Sequence, residues 1–201
     1  MDSLPSGQSE AGTVERAWPP PQGEWTYEDW SKLPNDGYRY EVINGELFMS
    51  PPPRARHQRI LMRLVDHLLA FLRLHQVGEV LVAPVGVHLP NHTVPLQPDI
   101  VFIGSERLDI IDEDYIEGAP DLVMEILSPS NWLYDRREKM QVYQGAGIAE
   151  YWIVDPRTQT IEVYILERST YLLAGQYNMG DVAASRTIPG FEVPVEHVFL
   201  P

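Results

Sequence analysis

Two acidic residues lie in stretches of the sequence that should be buried. Glu125 interrupts an otherwise apolar run at residues 122–127, and Asp99 follows Pro98 and opens a second apolar run at residues 100–103. Runs that are apolar at both odd and even positions are typical of central strands covered on both faces. Because an unpaired carboxylate in such a strand is costly, each acid must be neutralised, ion-paired or bound to a cation.

The chemistry of this pair depends on whether the two strands are neighbours. Side by side, the carboxylates of Asp99 and Glu125 would lie a few ångströms apart, and each would raise the pKa of the other unless a cation holds both. The chain has no cysteine, so a metal would be bound by oxygen or imidazole, and oxygen ligands suit Mg²⁺ or Mn²⁺. The pattern favours a divalent metal site, with salt bridges to some of the 13 arginines as the alternative.

Lys139 is a third candidate, because the chain otherwise uses arginine for positive charge. Only two lysines stand against 13 arginines. A lysine ammonium is compact and its pKa can fall on burial, which an arginine does not allow. On the helix predicted over residues 134–145, Lys139 shares a face with Asp135 and Tyr143, a secondary candidate. This spacing fits a site lysine and equally a surface pair of Asp135 with Lys139.

A β-hairpin near the N-terminus supplies further acids. Asn44 and Gly45 stand between two β-rich runs, which is a strong signal for a type I′ turn. With that turn, Glu41 opposes Phe48, and Glu41 and Glu46 lie on one face as diagonal neighbours at about 7–8 Å. Both acids are site candidates, with ordinary solvated strand acids as the alternative. The opposite face, which we expect to be the core side, carries Tyr40, Val42, Leu47 and Met49.

Basic residues crowd the start of the helix predicted over residues 54–76. Backbone N–H groups at a helix start also favour anions. Arg56, Arg59 and Arg63 lie on one stripe, which could bind the phosphates of DNA or pair with surface acids. His57 is a further candidate for phosphate binding, and it could instead relay a proton, support another site residue or have a structural role. The whole cluster consists of Arg54, Arg56, His57, Arg59 and Arg63.

The composition limits what these residues can do. The net charge of −14 argues against a large sequence-independent surface for nucleic acid, so such binding would need a local basic face. No apolar stretch approaches the ~20 residues of a membrane-spanning helix. The N-terminus also lacks the pattern of a secretory signal. We therefore expect a cytoplasmic protein without a membrane partner.

The elements that would position these residues follow one another as hairpin, helix, strands, helix and strands. That order predicts an α/β fold with a mixed sheet. Residues 1–24 are rich in Pro, Gly, Ser and Glu and are predicted to form a flexible extension. Residues 25–201 are predicted to form a single domain.

Several short motifs occur in an order that, taken together, is specific. They are YEVINGEL at 40–47, SPP at 50–52 with HQ at 57–58, QPDIV at 97–101, PDLVMEILSPS at 120–130, Asp135 with Lys139 and Tyr143, and GIAEYWIVD at 147–155. From about Thr26 onward, the chain resembles the Uma family of bacterial putative restriction endonucleases, which is assigned to the PD-(D/E)xK nuclease superfamily.

The resemblance implies a restriction-endonuclease-like core, in which a central mixed β-sheet is flanked by helices and a divalent metal is bound at the catalytic acids. Asp99 would match the first acid of the superfamily motif and Glu125 the second. Glu41 would match an additional acid upstream. The backbone carbonyl of Ile126 would be a further metal ligand.

The motif lysine is the one departure from that pattern. The superfamily motif places it where this chain has Leu127, and Lys139 from the following helix is the natural substitute. The resemblance then implies an endonuclease that uses Mg²⁺ or Mn²⁺ to cut DNA, with Lys139 orienting and helping to deprotonate the attacking water. Enzymes that cut both strands commonly work as dimers, so a homodimer is expected.

Two other functions fit parts of the sequence. A catalytically inactive nuclease-fold module, which binds or regulates as an oligomer, is favoured by the negative charge and by Leu127, since a fold alone does not establish an activity. A metal-free hydrolase could use Asp99 and Glu125 as acid and base, for example on a glycoside. No grouping of aromatic residues into a sugar platform supports that third function.

Overall fold

The computed structural model describes residues 18–90, 92, 94–128 and 135–200 of the protein. Its α-helices are α1 (Tyr27–Trp30), α2 (Ala55–His75), α3 (Met140–Ala146) and α4 (Val195–Phe199), with a 3-10 helix at Ser105–Ile110 and a π-helical segment at Asp135–Lys139. Its strands are β1 (Arg39–Ile43), β2 (Glu46–Ser50), β3 (Gly78–Val82), β4 (Gly86–His88), β5 (Ile100–Gly104), β6 (Tyr115–Glu117), β7 (Leu122–Ile126), β8 (Glu150–Asp155), β9 (Thr160–Glu167), β10 (Thr170–Tyr177), β11 (Val182–Ala184) and β12 (Glu192–Pro194). None of the helices in this described part combines the length and apolar character needed to cross a membrane.

A six-stranded mixed sheet forms the centre of the fold, in the order β10-β9-β8-β7-β5-β3. Strands β7 and β8 are parallel, whereas the other neighbouring pairs are antiparallel. The predicted α/β fold with a mixed sheet is therefore confirmed. The two apolar runs that carry the acids form β5 and β7, which are adjacent central strands.

Both faces of this sheet are covered, which explains why β5 and β7 are apolar at every position but one. On one face, Leu64 and Leu68 of α2 pack in a cluster with Met124 of β7. On the other face, Val123 packs in a second cluster with Tyr143 of α3. Burying side chains of this size stabilises the fold by about 1.5–3 kcal/mol each. A carboxylate in either strand is therefore enclosed by apolar layers.

The N-terminal hairpin β1–β2 has the predicted turn and register, with Glu41 opposite Phe48. Asn44 and Gly45 both have positive φ, at 52° and 77°. The backbone N–H of Gly23 donates a hydrogen bond to the Gly45 carbonyl at 2.9 Å. A Cβ at Gly45 would lie 2.3 Å from the Gly23 carbonyl oxygen, so glycine is required there for space as well as for conformation.

The predicted core side of the hairpin is confirmed in part, because Val42 and Leu47 are packed but the opposite face is packed as well. Ile43, on the face that carries Glu41, packs in the same cluster as Tyr143. Val42, on the opposite face, packs in a small separate cluster with Trp25, and Met49 on that face is 58% exposed. Both faces of β1 meet protein, so alternation along the strand does not separate core from solvent.

The predicted boundary between a flexible extension and a single domain, at residues 24 and 25, stays a prediction. The flexible extension was placed at residues 1–24, of which 1–17 lie outside the described residues. In the described part, the Gln22 side chain bonds to both the backbone N–H and the carbonyl of Leu47, at 2.7 and 3.0 Å. These contacts place Gln22 against the hairpin.

Candidate active site

Asp99 and Glu125 are brought together by the pairing of β5 with β7. Asp99 directly precedes β5, and the register that pairs Ile100 with Met124 sets it beside Glu125. Each of the two acids is only 2% exposed. Asp99 Oδ2 accepts a hydrogen bond from the backbone N–H of Ile126 at 2.9 Å. The two predicted acids are therefore buried neighbours at the same end of the central strands.

Lys139 joins this pair from the π-helical segment before α3. Its Nζ lies 2.8 Å from Glu125 Oε1 and 3.2 Å from Glu41 Oε2, and the residue is 1% exposed. Tyr143, one helical turn further on, donates its hydroxyl to the same Glu125 Oε1 at 2.6 Å. The side chain of Asp135, the alternative partner of Lys139, lies outside the described residues. The shared helix face predicted for Lys139 and Tyr143 is thus directed at Glu125.

Glu41 belongs to the cluster, whereas Glu46 does not. Glu41 is 1% exposed, and its Oε1 accepts a hydrogen bond from the backbone N–H of Gln97 at 3.0 Å. Glu46 is exposed at the start of β2, beside the hairpin turn. The two acids share a face of the hairpin, but only Glu41 reaches the end of β5.

Arg39 was not predicted as a site residue, whereas His57 was predicted as a candidate but without a partner. Arg39 donates through Nη2 to Asp99 Oδ1 at 3.0 Å and through Nη1 to the Gln97 carbonyl at 2.9 Å. His57 Nε2 lies 3.4 Å from the same Asp99 oxygen, is buried, and makes no hydrogen bond. The sequence did hold a signal for Arg39, because it precedes Glu41 by two positions in a strand and therefore faces the same way.

The positive groups keep Asp99 ionised. Burial raises the pKa of Asp99, but the contact with His57 and the charges of Arg39 and Lys139 lower it by more. The pKa of Asp99 therefore lies well below its ordinary range. Asp99 is a permanent carboxylate at neutral pH.

Glu125 is shifted in the opposite direction. Burial raises the pKa of its carboxyl, the Lys139 ammonium opposes that shift, and the negative charges of Asp99 and Glu41 add to it. Burial and the Glu125 charge also raise the pKa of Tyr143 well above its usual value, so this phenol remains a hydrogen-bond donor. A pair of acids whose pKa values are pushed apart is characteristic of sites that move protons or bind cations.

The cluster opens onto a cavity of about 540 Å³. The charged or titratable side chains that line it are Tyr38, Arg39, His57, Asp99, Glu125 and Lys139. Glu41 and Tyr143 are not lining residues and contact Lys139 or Glu125 from the protein side. Among the described residues, no three His, Asp or Glu side chains are grouped closely enough to hold a metal ion. The predicted metal set has two carboxylates and the backbone carbonyl of Ile126, which also lines the cavity.

The predicted phosphate-binding residues divide between two places. His57 lies in the cavity with Asp99, whereas Arg56, Arg59 and Arg63 line a separate cavity of about 360 Å³. The two cavities border different faces of α2, because residues at adjacent positions of a helix point about 100° apart. Sequence spacing identified the arginine stripe correctly but not its separation from His57.

The mixed sheet, covered by helices and loops on both faces and carrying a buried acid pair at the ends of two central strands, defines a restriction-endonuclease-like α/β fold. The sequence model of the Uma2 family, described as "Putative restriction endonuclease", matches residues 26–196. The chain belongs to this family.

A solved structure supports the same fold. The crystal structure of a putative nuclease from Anabaena variabilis, assigned to the family DUF820, superposes with a TM-score of 0.70 at 20% sequence identity. The match covers 87% of this chain and 97% of that one. None of the proteins with curated descriptions matches the chain.

Proposed function

We propose that the protein is a nuclease that hydrolyses phosphodiester bonds of DNA with the help of Mg²⁺ or Mn²⁺. The observation that carries the proposal is the convergence of Asp99, Glu125 and Lys139, from three separate elements, on the wall of one cavity. Membership of the Uma2 family supports the same class of activity. The nuclease name of the Anabaena variabilis protein is consistent with it.

The chemistry of the donor set fits the proposed ion. Asp99 and Glu125 would supply carboxylate oxygens and Ile126 a carbonyl oxygen, and Mg²⁺ is usually held by one or two carboxylates with waters and substrate phosphates completing its shell. Beside this donor set, and not as a third side-chain ligand, His57 presents a buried imidazole nitrogen that makes no hydrogen bond. When bound, such an ion lowers the pKa of a coordinated water and neutralises charge on the phosphate.

Lys139 would act on the attacking water and on the phosphate. Its ammonium is held by Glu125 and Glu41 at the cavity wall, from which Nζ can orient a water by hydrogen bonding. The same group would stabilise the negative charge that develops on the phosphate oxygens. Leu127, at the position of the motif lysine, is instead buried in the core cluster around Tyr143, which favours Lys139 for this role.

Arg39 and Glu41 would have supporting roles. Glu41 and Tyr143 fix the positions of Lys139 and Glu125 through direct contacts. Arg39 pairs with Asp99 through its guanidinium. With a cation held at that carboxylate, the planar guanidinium would be available to bind phosphate oxygens in the same cavity.

A catalytically inactive binding module is the second candidate, and one observation favours it. Asp99 pairs with Arg39 and Glu125 pairs with Lys139, so the buried acids already have positive partners within the chain. Such pairs would be kept for stability alone. The two candidates differ in whether the acids are needed for hydrolysis.

Cleavage assays with matched variants separate these candidates. We expect D99N, E125Q and K139M to lose Mg²⁺- or Mn²⁺-dependent cleavage of supercoiled and linear DNA, with EDTA abolishing cleavage by the wild type. The control E46Q, an exposed acid outside the cavity, should cut like the wild type. Wild-type rates for D99N or E125Q would contradict the proposal, and cleavage of RNA in place of DNA would contradict the substrate.

We also propose a cytoplasmic homodimer. The proposed substrate lies in the cytoplasm of a bacterial cell, and enzymes that cut both strands of a duplex commonly work as dimers. Sedimentation velocity, with and without a short DNA duplex, tests the dimer. A monomer under both conditions would contradict it.

A further inference from the structure

The cavity on the other side of α2 is lined by three arginines. Residues 57, 58, 61 and 62 of α2 border the candidate active site, whereas residues 56, 59, 60 and 63 border the second cavity. The N-terminal half of α2 therefore forms a wall between the two. The remaining lining residues of the second cavity are Gln159, Phe199 and Leu200.

The charge of this cavity is not balanced by acidic neighbours in its wall. Its lining residues include no Asp or Glu among the described residues. Arg56 donates to the backbone carbonyl of Pro156, which leaves its charge in place. Arg59 is exposed and makes no hydrogen bond or ion pair with any described residue. The chain as a whole has a net charge of −14. Because Arg56 and Arg59 have no carboxylate partner, they make this cavity a local region of positive potential that attracts anions.

Hydrogen bonds from Arg63 to backbone carbonyls hold together the elements that form this cavity. Arg63 donates through Nη1 to the carbonyls of Val198 and Leu200, at 3.2 and 2.5 Å. These bonds attach the end of α4 to α2, so the cavity wall has a fixed shape. Arg59 lies between the two anchored arginines on the same helix stripe and is left to contact a ligand.

We propose that this cavity binds a phosphate of the nucleic-acid backbone at a distance from the bond that is cut. The proposal rests on the proposed function and names a second contact for the same substrate. Guanidinium groups are suited to phosphate because their planar N–H donors can pair with two oxygens. A helix is about 10 Å across, so the cavity and the active site would be separated by roughly three nucleotides at about 3.4 Å per step of one strand.

DNA binding at several salt concentrations tests this contact without cleavage. We would measure binding of a short fluorescent duplex in EDTA by the wild type, R59Q and R59E. Arg59 makes no bond within the described chain, so these variants should fold. The matched control is R73Q, which removes an exposed arginine further along the same helix.

Loss of one phosphate contact has a defined signature. R59Q should bind on the order of tenfold more weakly at low salt, and the slope of log K against log salt should fall by about 0.9. The ratio of wild-type to R59Q affinity should therefore shrink about 3.5-fold between about 50 and 200 mM salt. R59E should bind more weakly still, and R73Q should match the wild type.

Two results would overturn the inference and leave the proposed function intact. One is an R59Q slope equal to that of the wild type. The other is saturable binding of inorganic pyrophosphate that R59Q abolishes, together with unchanged DNA binding, which would assign the cavity to a small phosphorylated compound. By contrast, absence of cleavage by the wild type on any DNA would contradict the proposed function whatever the R59Q result.

Discussion

Replacing the buried lysine of the site by methionine should destabilise the protein strongly. Lys139 is 1% exposed and contacts Glu125 at 2.8 Å and Glu41 at 3.2 Å. Removing one partner of a buried ion pair costs about 3–5 kcal/mol, because the remaining charge is left without compensation. Methionine keeps most of the side-chain volume, so the loss in K139M reports charge and not a cavity.

The destabilisation of K139M should also depend on pH, and it should increase as the pH rises. The pKa of Glu125 is already raised by burial, and the Lys139 ammonium opposes that shift. Without Lys139 the pKa of Glu125 rises further, so the folded K139M protein holds a proton that the unfolded chain has released. Stability then falls as the pH rises from the ordinary glutamate value towards the raised one, by up to about 1.4 kcal/mol per pH unit.

Urea unfolding in EDTA at several pH values measures this effect. K139M should be least destabilised near pH ~5 and most near pH ~8, and the added change E125Q should recover part of the loss in a double-mutant cycle. K32M, which removes the only other lysine, is the control, because Lys32 is exposed. A K139M loss equal to that of K32M, or one that does not change with pH, would refute the reasoning.

Three further predictions concern stability and titration. E150Q should lower the free energy of unfolding, measured in urea, by about 1.5–3 kcal/mol. The reason is that the buried Glu150 carboxylate accepts four hydrogen bonds, one of them from Ser185 Oγ. An unchanged urea midpoint would contradict this. Y143F should cost about 1 kcal/mol through the lost bond to Glu125, and in an E125L background, which has no acceptor, that cost should disappear, which a double-mutant cycle checks. Burial and a hydrogen bond to a neighbouring glutamate raise the pKa of Tyr164 to about 12, so the folded protein should lose stability as pH rises from about 10. Absorbance titration should show one fewer late-titrating tyrosine in Y164F than in the wild type, and an identical curve for Y164F would contradict the assignment.

The central strands and their acids could be predicted from the sequence because burial constrains residue type strongly. Runs at 100–103 and 122–127 that are apolar on both faces indicate central strands. A carboxylate in or beside such a strand must be neutralised, ion-paired or bound to a cation, which marks it as a site candidate. The Asn44-Gly45 turn fixed the hairpin register, and hence the face of Glu41. These inferences depend on local patterns, which a sequence contains.

The remaining features depend on how elements dock, which local patterns do not contain. The hairpin register places Glu41 and Glu46 on one face. It does not determine which end of the hairpin packs against β5. The stripe of Arg59 was evident from helical spacing, yet the division of α2 between two cavities follows from its packing on the sheet. Arg39 shares its strand face with Glu41, but its pairing with Asp99 joins residues 60 positions apart.

We propose that Asp99 and Glu125 together hold the divalent cation that hydrolysis requires. A calorimetric titration of the purified protein with Mn²⁺, in parallel with D99N, E125Q and E46Q, tests it most directly. We expect saturable binding to the wild type and to E46Q, and none to D99N or E125Q. A wild type that binds no Mn²⁺ or Mg²⁺, or acid variants that bind as tightly as the wild type, would contradict it.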